Sequence, residues 1–265
     1  DAMREAGFLF CWRAAPADAA PDDREAWKEA NPSAWVTEEV LEREFDRLPE
    51  AVFRRLHLNQ WTEAEDSWIR PDDWDACVGS PVIDPNEPVW AGVDIGLKRD
   101  ASALVWVQWH GDKLHVKHDI RIPTPGKPLS AAENRARVAA LAQKMSALRE
   151  VCFDPWAFRE SAEILADQGI RMVQFDQTAA RMAPASEHLY ELVKEGRIVH
   201  DGSPVLRQQV LAAVDSETER GWRISKRKSR ERIDAAVALA MAADRALAAR
   251  AERTPDIDDY RIIAL

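Results

Sequence analysis

The chain has 265 residues, room for one large or two modest domains, and its 46% hydrophobic and 31% charged residues exclude a disordered, collagenous or low-complexity protein. Its longest nearly uninterrupted apolar run, Ala235–Ala243, is too short to span a bilayer, and Cys11, Cys77 and Cys152, odd in number and far apart, predict neither a disulfide framework nor a zinc knuckle and fit a reducing, cytosolic setting. The net charge of −10 argues, at face value, against a nucleic-acid partner. That charge is unevenly spread, with 20 acids and 9 bases in residues 1–85 but 22 acids and 25 bases in residues 86–250.

The chain opens on Asp1 without an initiator Met or the pattern of a signal peptide, and is expected to be a fragment of a longer protein. Residues 1–60 read as a short apolar run (Gly7–Trp12), a Pro/Asp-rich loop and then mostly helix. Asn31-Pro32-Ser33 marks a turn, Thr37 with Glu38 and Glu39 marks a helix start, and Leu41, Phe45 and Leu48 follow at helical spacing. Residues 61–88 carry Trp61, Trp68 and Trp74 among acids, then Pro81, Pro85 and Pro88, and are expected to be an ordered linker with docked aromatics.

The pattern changes at Val89. Val89–Gly96, Ala101–His110 and Lys113–Ile122 are predicted strands, the last two joined by the hairpin signal Gly111-Asp112. Ser130-x-x-Glu133 is a capping box opening a helix with Val138, Leu141, Met145 and Leu148 on one face. Then come a strand over Val151–Asp154, a helix from Pro155 to Gly169, a strand over Arg171–Phe175 and a helix ending near Lys194. A hairpin is predicted from Val214–Glu219 and Trp222–Ser225, and a long helix from Glu231 to about Arg250. Three antiparallel strands followed by βα units predict an α/β fold, a ribonuclease H-like mixed sheet flanked by helices.

Three aspartates stand at informative places. Asp94 lies inside the apolar strand VWAGVDIG, where a carboxylate is costly unless a cation or hydrogen bonds satisfy it. Asp154 ends the strand VCFDP, at the carboxyl edge where α/β sheets place ligands. Asp234 sits in the first turn of the last helix, where the helix dipole favours its ionised form. Each taken singly is more often a solvated surface charge. Together, in this order and on these elements, they point to a carboxylate cluster that needs hard cations, Mg²⁺ or Mn²⁺, and two such ions suit hydrolysis of a phosphodiester. Asp100 is a candidate auxiliary ligand, a turn residue being the competing reading. The basic run Lys226, Arg227, Lys228, Arg230 and Arg232 precedes Asp234 and suits phosphate contacts without sequence preference, where it would otherwise be a solvated face. His115 and His118 fall on opposite faces of their strand and are rejected as a chelating pair.

The segments GVDIGLKRDASALVWV, CFDPW and KRKSRERIDAAVALAMA closely resemble three motifs of the nuclease domain of phage terminase large subunits. Phe53–Cys77 resembles the stretch joining motor to nuclease in that family. The resemblance implies a metal-dependent endonuclease that cuts concatemeric double-stranded viral DNA, with Asp94, Asp154 and Asp234 as metal-binding catalytic acids and two Mg²⁺ or Mn²⁺ ions. It implies residues 1–60 as the end of a packaging ATPase domain, 61–88 as linker, 89–250 as nuclease and 251–265 as tail. It also implies the small terminase subunit and the portal or procapsid as partners of the full-length protein, no membrane, and the host cytoplasm as location. No G-x-x-x-x-G-K-[ST] occurs among the ten glycines, so no ATPase activity is expected from this stretch. Two other readings stand beside it. GVDIGLKRD also looks like the first phosphate loop of actin-like ATPases and sugar kinases, which need a duplicated domain that is missing here; a non-catalytic DNA-binding or docking module is the other.

Overall fold

The computed structural model describes residues 12–60, 68–96, 101–124, 128–218, 221–225, 229 and 231–252. The chain divides into two compact units, residues 1–68 and 69–265.

In the first unit, helices α1 (Arg24–Ala30), α2 (Glu38–Arg47) and α3 (Glu50–Leu56) surround an aromatic knot. Asp23 caps α1 and Thr37 caps α2 by accepting from backbone N–H groups that have no helical partner. The fully buried Trp27 ring packs against Phe45 at 5.6 Å and Phe53 at 5.4 Å. Trp35 remains on the surface. Of the expected Gly7–Trp12 run, residues 7–11 lie outside the described residues, as does Trp61.

The second unit opens with helix α4 (Pro71–Asp75) and continues with strands β1 (Val89–Ile95), β2 (Ser102–His110) and β3 (Lys113–Arg121). There follow α5 (Ala131–Lys144), β4 (Leu148–Phe153), α6 (Pro155–Asp167), β5 (Met172–Gln174), α7 (Ala179–Lys194), β6 (Ile198–Val199) and α8 (Pro204–Leu211). The hairpin β7 (Asp215–Thr218) and β8 (Gly221–Ile224) and the long helix α9 (Asp234–Ala251) complete it. The main sheet has the order β5-β4-β1-β2-β3-β6. Strand β1 pairs antiparallel with β2, and β2 with β3, whereas β4 joins β1 and β5 joins β4 in parallel. This is the ribonuclease H-like mixed sheet. The predicted capping box is present, with Ser130 accepting from Glu133 N–H and Glu133 reaching back to the Ser130 N–H.

Two elements escape the sequence pattern. Strand β6 is two residues long, too short for an alternation to register, and exists by pairing with Leu114 and His115 of β3. Helix α8 does carry a start signal, Ser203-Pro204, with Ser203 accepting from the Leu206 N–H.

Alternation along β1 sends its residues to two different helical layers. Val89, Ala91, Val93 and Ile95 join a core with Val138 and Leu141 of α5 and Phe158 and Leu165 of α6. The opposite face lies under α9, whose residues Ala235–Ala243 are all buried. A helix this apolar on every side is one enclosed by its neighbours. Its approach to the sheet is set by Gly92, where a Cβ would stand 2.1 Å from the Ala238 carbonyl oxygen. Polar contacts fix the helix along its length. Ala235 N–H donates to Gln209, Trp109 Nε1 donates to the Ala246 carbonyl, and the Arg245 guanidinium pairs with the buried Glu150 of β4.

The segment ahead of β1 is docked by a different contact. The His200 ring stacks on Trp74 of α4 at 4.1 Å, its Nε2 is 2.9 Å from the Trp74 carbonyl, and its Nδ1 accepts from the Gly202 N–H. That pattern needs a neutral ring with Nε2 as donor, and burial holds the His200 pKa below its ordinary 6.5.

Two outcomes follow for stability. Gly92→Ala meets backbone that cannot give way and should destabilise the protein by about 2–4 kcal/mol in urea unfolding, above the usual range for overpacking. An unchanged midpoint would mean that α9 lifts off freely. For His200 the folded pKa is depressed, so the unfolded chain takes up the proton more readily. Its contribution is complete above pH 6.5 and is lost as pH falls below that value, so the urea midpoint should drop between pH 7.5 and 5.5, and drop less in His200→Gln.

Candidate active site

The parallel register Val93↔Phe153 makes Asp94 and Asp154 the next residues at the carboxyl ends of two adjacent strands. Asp94 is still within β1 and is 3% exposed. By alternation it shares the face of Gly92, the face covered by α9. Its Oδ1 accepts a hydrogen bond from Gln177 Nε2 at 3.2 Å.

Asp234 is the first residue of α9, one turn before Ala238, and is 1% exposed. Its Oδ2 accepts from the Ala101 N–H at 2.9 Å, and the Ala101 carbonyl accepts from the Gly96 N–H at 2.8 Å. Asp234 is thereby tied to both ends of the connection that follows Asp94. Asp154 caps α6, its Oδ1 accepting from the Trp156 N–H at 3.0 Å, with Pro155 as the first helical residue. One sheet edge therefore carries three carboxylates, two of them buried.

Among the described residues no three His, Cys, Asp or Glu side chains are gathered closely enough to hold a metal ion by themselves. The candidate donor set would suit a hard divalent cation: all three side chains offer carboxylate oxygen, with no thiolate or imidazole among them.

The other sequence candidates are distributed differently. Asp100, Lys226, Arg227, Lys228 and Arg230 lie outside the described residues; Arg232 is exposed, two residues before Asp234. His115 accepts from the Val82 N–H while His118 lies 3.5 Å from Asp201, so the two imidazoles serve different neighbours. Cys152, two residues before Asp154, is buried and its thiol is pushed far up by desolvation, which removes it as a nucleophile.

Two residues at this edge, Gln177 and Arg223, have no sequence signal of their own. Gln177 follows β5 in an irregular segment, and the Arg223 guanidinium of β8 donates to the Gln177 carbonyl at 2.8 Å. Trp156 is 92% exposed immediately beyond Asp154 and its Pro155 neighbour. Neither periodicity nor motif spacing marks Gln177 or Arg223, because each acts through a contact across more than 40 residues.

The family model for "Terminase large subunit, endonuclease domain" matches residues 2–128 and 129–250. The chain belongs to that family. The large terminase subunit of Enterobacteria phage HK97 is 28% identical over 284 residues, covering 93% of this chain and 56% of that protein. The crystal structure of the HK97 large terminase superposes with a TM-score of 0.62 at 26% identity, over 88% of this chain and 56% of that one. This terminase chain thus spans about half the length of that relative. The large terminase nuclease of thermophilic phage G20c, crystallised with bound magnesium, shares the fold at a TM-score of 0.53 and 16% identity, over 69% of this chain and 98% of its own.

Proposed function

We propose that this terminase chain is a two-metal endonuclease that cuts concatemeric double-stranded DNA during viral genome packaging. The observation that supports it most directly is the placement of Asp94 and Asp154 at the ends of neighbouring parallel strands, with Asp234 brought to the same edge by α9. Two Mg²⁺ or Mn²⁺ ions, when bound, would supply an activated water and charge stabilisation for the leaving oxygen. Asp94, Asp154 and Asp234 would hold the ions, and Asp100 would assist. The G20c nuclease with bound magnesium supports the choice of a divalent cation.

The protein's own groups do the positioning. Asp94 is held in a dry strand end by the Gln177 amide, and Asp234 is held by the Ala101 N–H at the positive end of α9. Lys226, Arg227, Lys228, Arg230 and Arg232 would grip the flanking phosphates, giving binding that depends on salt and is indifferent to sequence. The acidic excess of residues 1–85 then plays no part in DNA contact. Residues 1–60 are read as the end of the packaging ATPase domain, 61–88 as linker, 89–250 as nuclease and 251–265 as tail. In the full-length protein the partners are DNA, the small terminase subunit and the portal or procapsid, within the host cytoplasm. No helix among the described residues is long and apolar enough to cross a membrane.

Plasmid digestion tests the reading. Cutting should require Mg²⁺ or Mn²⁺, stop with EDTA, and fall at least about 100-fold in Asp94→Asn, since removing a metal ligand forfeits several kcal/mol of transition-state stabilisation. A wild-type chain that binds DNA yet never cuts under any of these conditions would establish the docking-module alternative. Replacing the five basic residues with Gln should weaken DNA binding and flatten its salt dependence, by about 0.9 in log–log slope for each phosphate no longer neutralised. An unchanged slope would make the run a solvated face.

A further inference from the structure

We infer that Gln177 is a positioning residue for Asp94 and that Arg223, on the β7–β8 hairpin, acts on the same carboxylate through Gln177. The inference deepens the nuclease reading and rests on Asp94 being a metal ligand.

The route is continuous in hydrogen bonds. The Phe175 N–H donates to the Phe153 carbonyl at 2.8 Å, so the chain leaving β5 is pinned to the residue just before Asp154. The buried Phe175 ring, with the Arg181 guanidinium 4.5 Å above it, anchors this stretch. Two residues later Gln177 has crossed the end of β4 and donates from Nε2 to Asp94 Oδ1 at 3.2 Å, on β1. The Gln177 backbone is fixed in turn by the Arg223 Nη1, 2.8 Å from its carbonyl oxygen. Arg223 itself sits on a strand that cannot drift. Its neighbour Trp222 packs edge-on against Tyr190 of α7 at 5.7 Å, and the Ile224 N–H donates to the buried Ser186 hydroxyl at 3.1 Å.

The chemistry of the two groups suits this division. A carboxylate that must receive dications needs an orienting donor that brings no charge of its own; an amide does this, whereas a Lys or Arg in its place would neutralise Asp94 and repel the incoming metal. The charge of Arg223 is kept one step back, on a backbone carbonyl. Its buried Nε has no hydrogen-bond partner among the described residues. Its Nη1 is directed at the segment that carries Gln177. Gln177 is therefore a hydrogen-bonding lever between the hairpin and the metal-binding edge, rather than a catalytic residue.

The test uses the 265-residue chain, Mn²⁺ alone as the titrant in calorimetry, and DNA cleavage as a second measurement. Gln177→Met keeps the length of the side chain and removes the donor. It should weaken Mn²⁺ binding by about 10-fold or more, the range for a residue that orients a metal ligand, and lower kcat with KM for DNA and the urea midpoint unchanged. Arg223→Met should give a smaller effect of the same kind, Arg223→Lys should restore most of it, and the double variant should be no worse than Gln177→Met alone. Unchanged Mn²⁺ affinity in Gln177→Met, while Asp94→Asn abolishes binding, overturns this inference and leaves the nuclease reading intact. Additive losses in the double variant overturn the role given to Arg223. Mn²⁺ binding indifferent to Asp94→Asn overturns both readings together.

Discussion

Everything at the candidate site depends on how closely α9 can lie against β1. A helix and a strand normally meet through their side chains, several ångströms apart. Here the missing side chain of Gly92 lets the Ala238 backbone reach the sheet directly. The run Ala235–Ala243 has the same logic, since small residues at nearly every position let a helix be enclosed on all sides without forcing its neighbours away. The consequence is positional. With the helix axis seated on β1, its first residue comes to the end of that strand, and Asp234 reaches the connection behind Asp94.

Each carboxylate at this edge is oriented by a neutral N–H donor: the Gln177 amide for Asp94, the Ala101 backbone for Asp234, the Trp156 backbone for Asp154. Arg245 of α9, about three turns beyond Asp234, is committed to Glu150 of β4, on the strand before Asp154. The buried ion pair locks the far end of α9, and the candidate site occupies its near end.

The three candidate aspartates are legible in the sequence because each has a local signature. Asp94 interrupts an apolar strand, Asp154 precedes a proline that starts a helix, and Asp234 opens an alanine-rich helix; one-dimensional pattern is enough to see them. The mixed sheet is legible for the same reason, since a hairpin followed by βα units leaves few arrangements. Strand β6 is invisible because two residues cannot show a period, and α8 is short and carries only the start signal Ser203-Pro204. Gln177 and Arg223 are invisible for a deeper reason. Glutamine in a loop and arginine in a hairpin are the commonest of surface choices, and only the contact across the sheet edge gives either a role.

Two of the three aspartates have structural duties that complicate any reading of their removal. Asp154 is the N-cap of α6, and an N-cap replaced by alanine costs about 0.5–2 kcal/mol by itself, whereas asparagine caps nearly as well. Asp234 closes the β1–β2 connection through Ala101 and, at the start of α9, also meets the helix dipole. An alanine at either place would loosen the edge on which the other carboxylates stand, so loss of activity would not separate chemistry from architecture. Asparagine keeps the hydrogen-bond acceptor and removes the charge. For this fold it is the substitution that interrogates the proposed metal site alone, and Asp94, which caps nothing and lies inside a fully buried strand, is the position where the answer is cleanest.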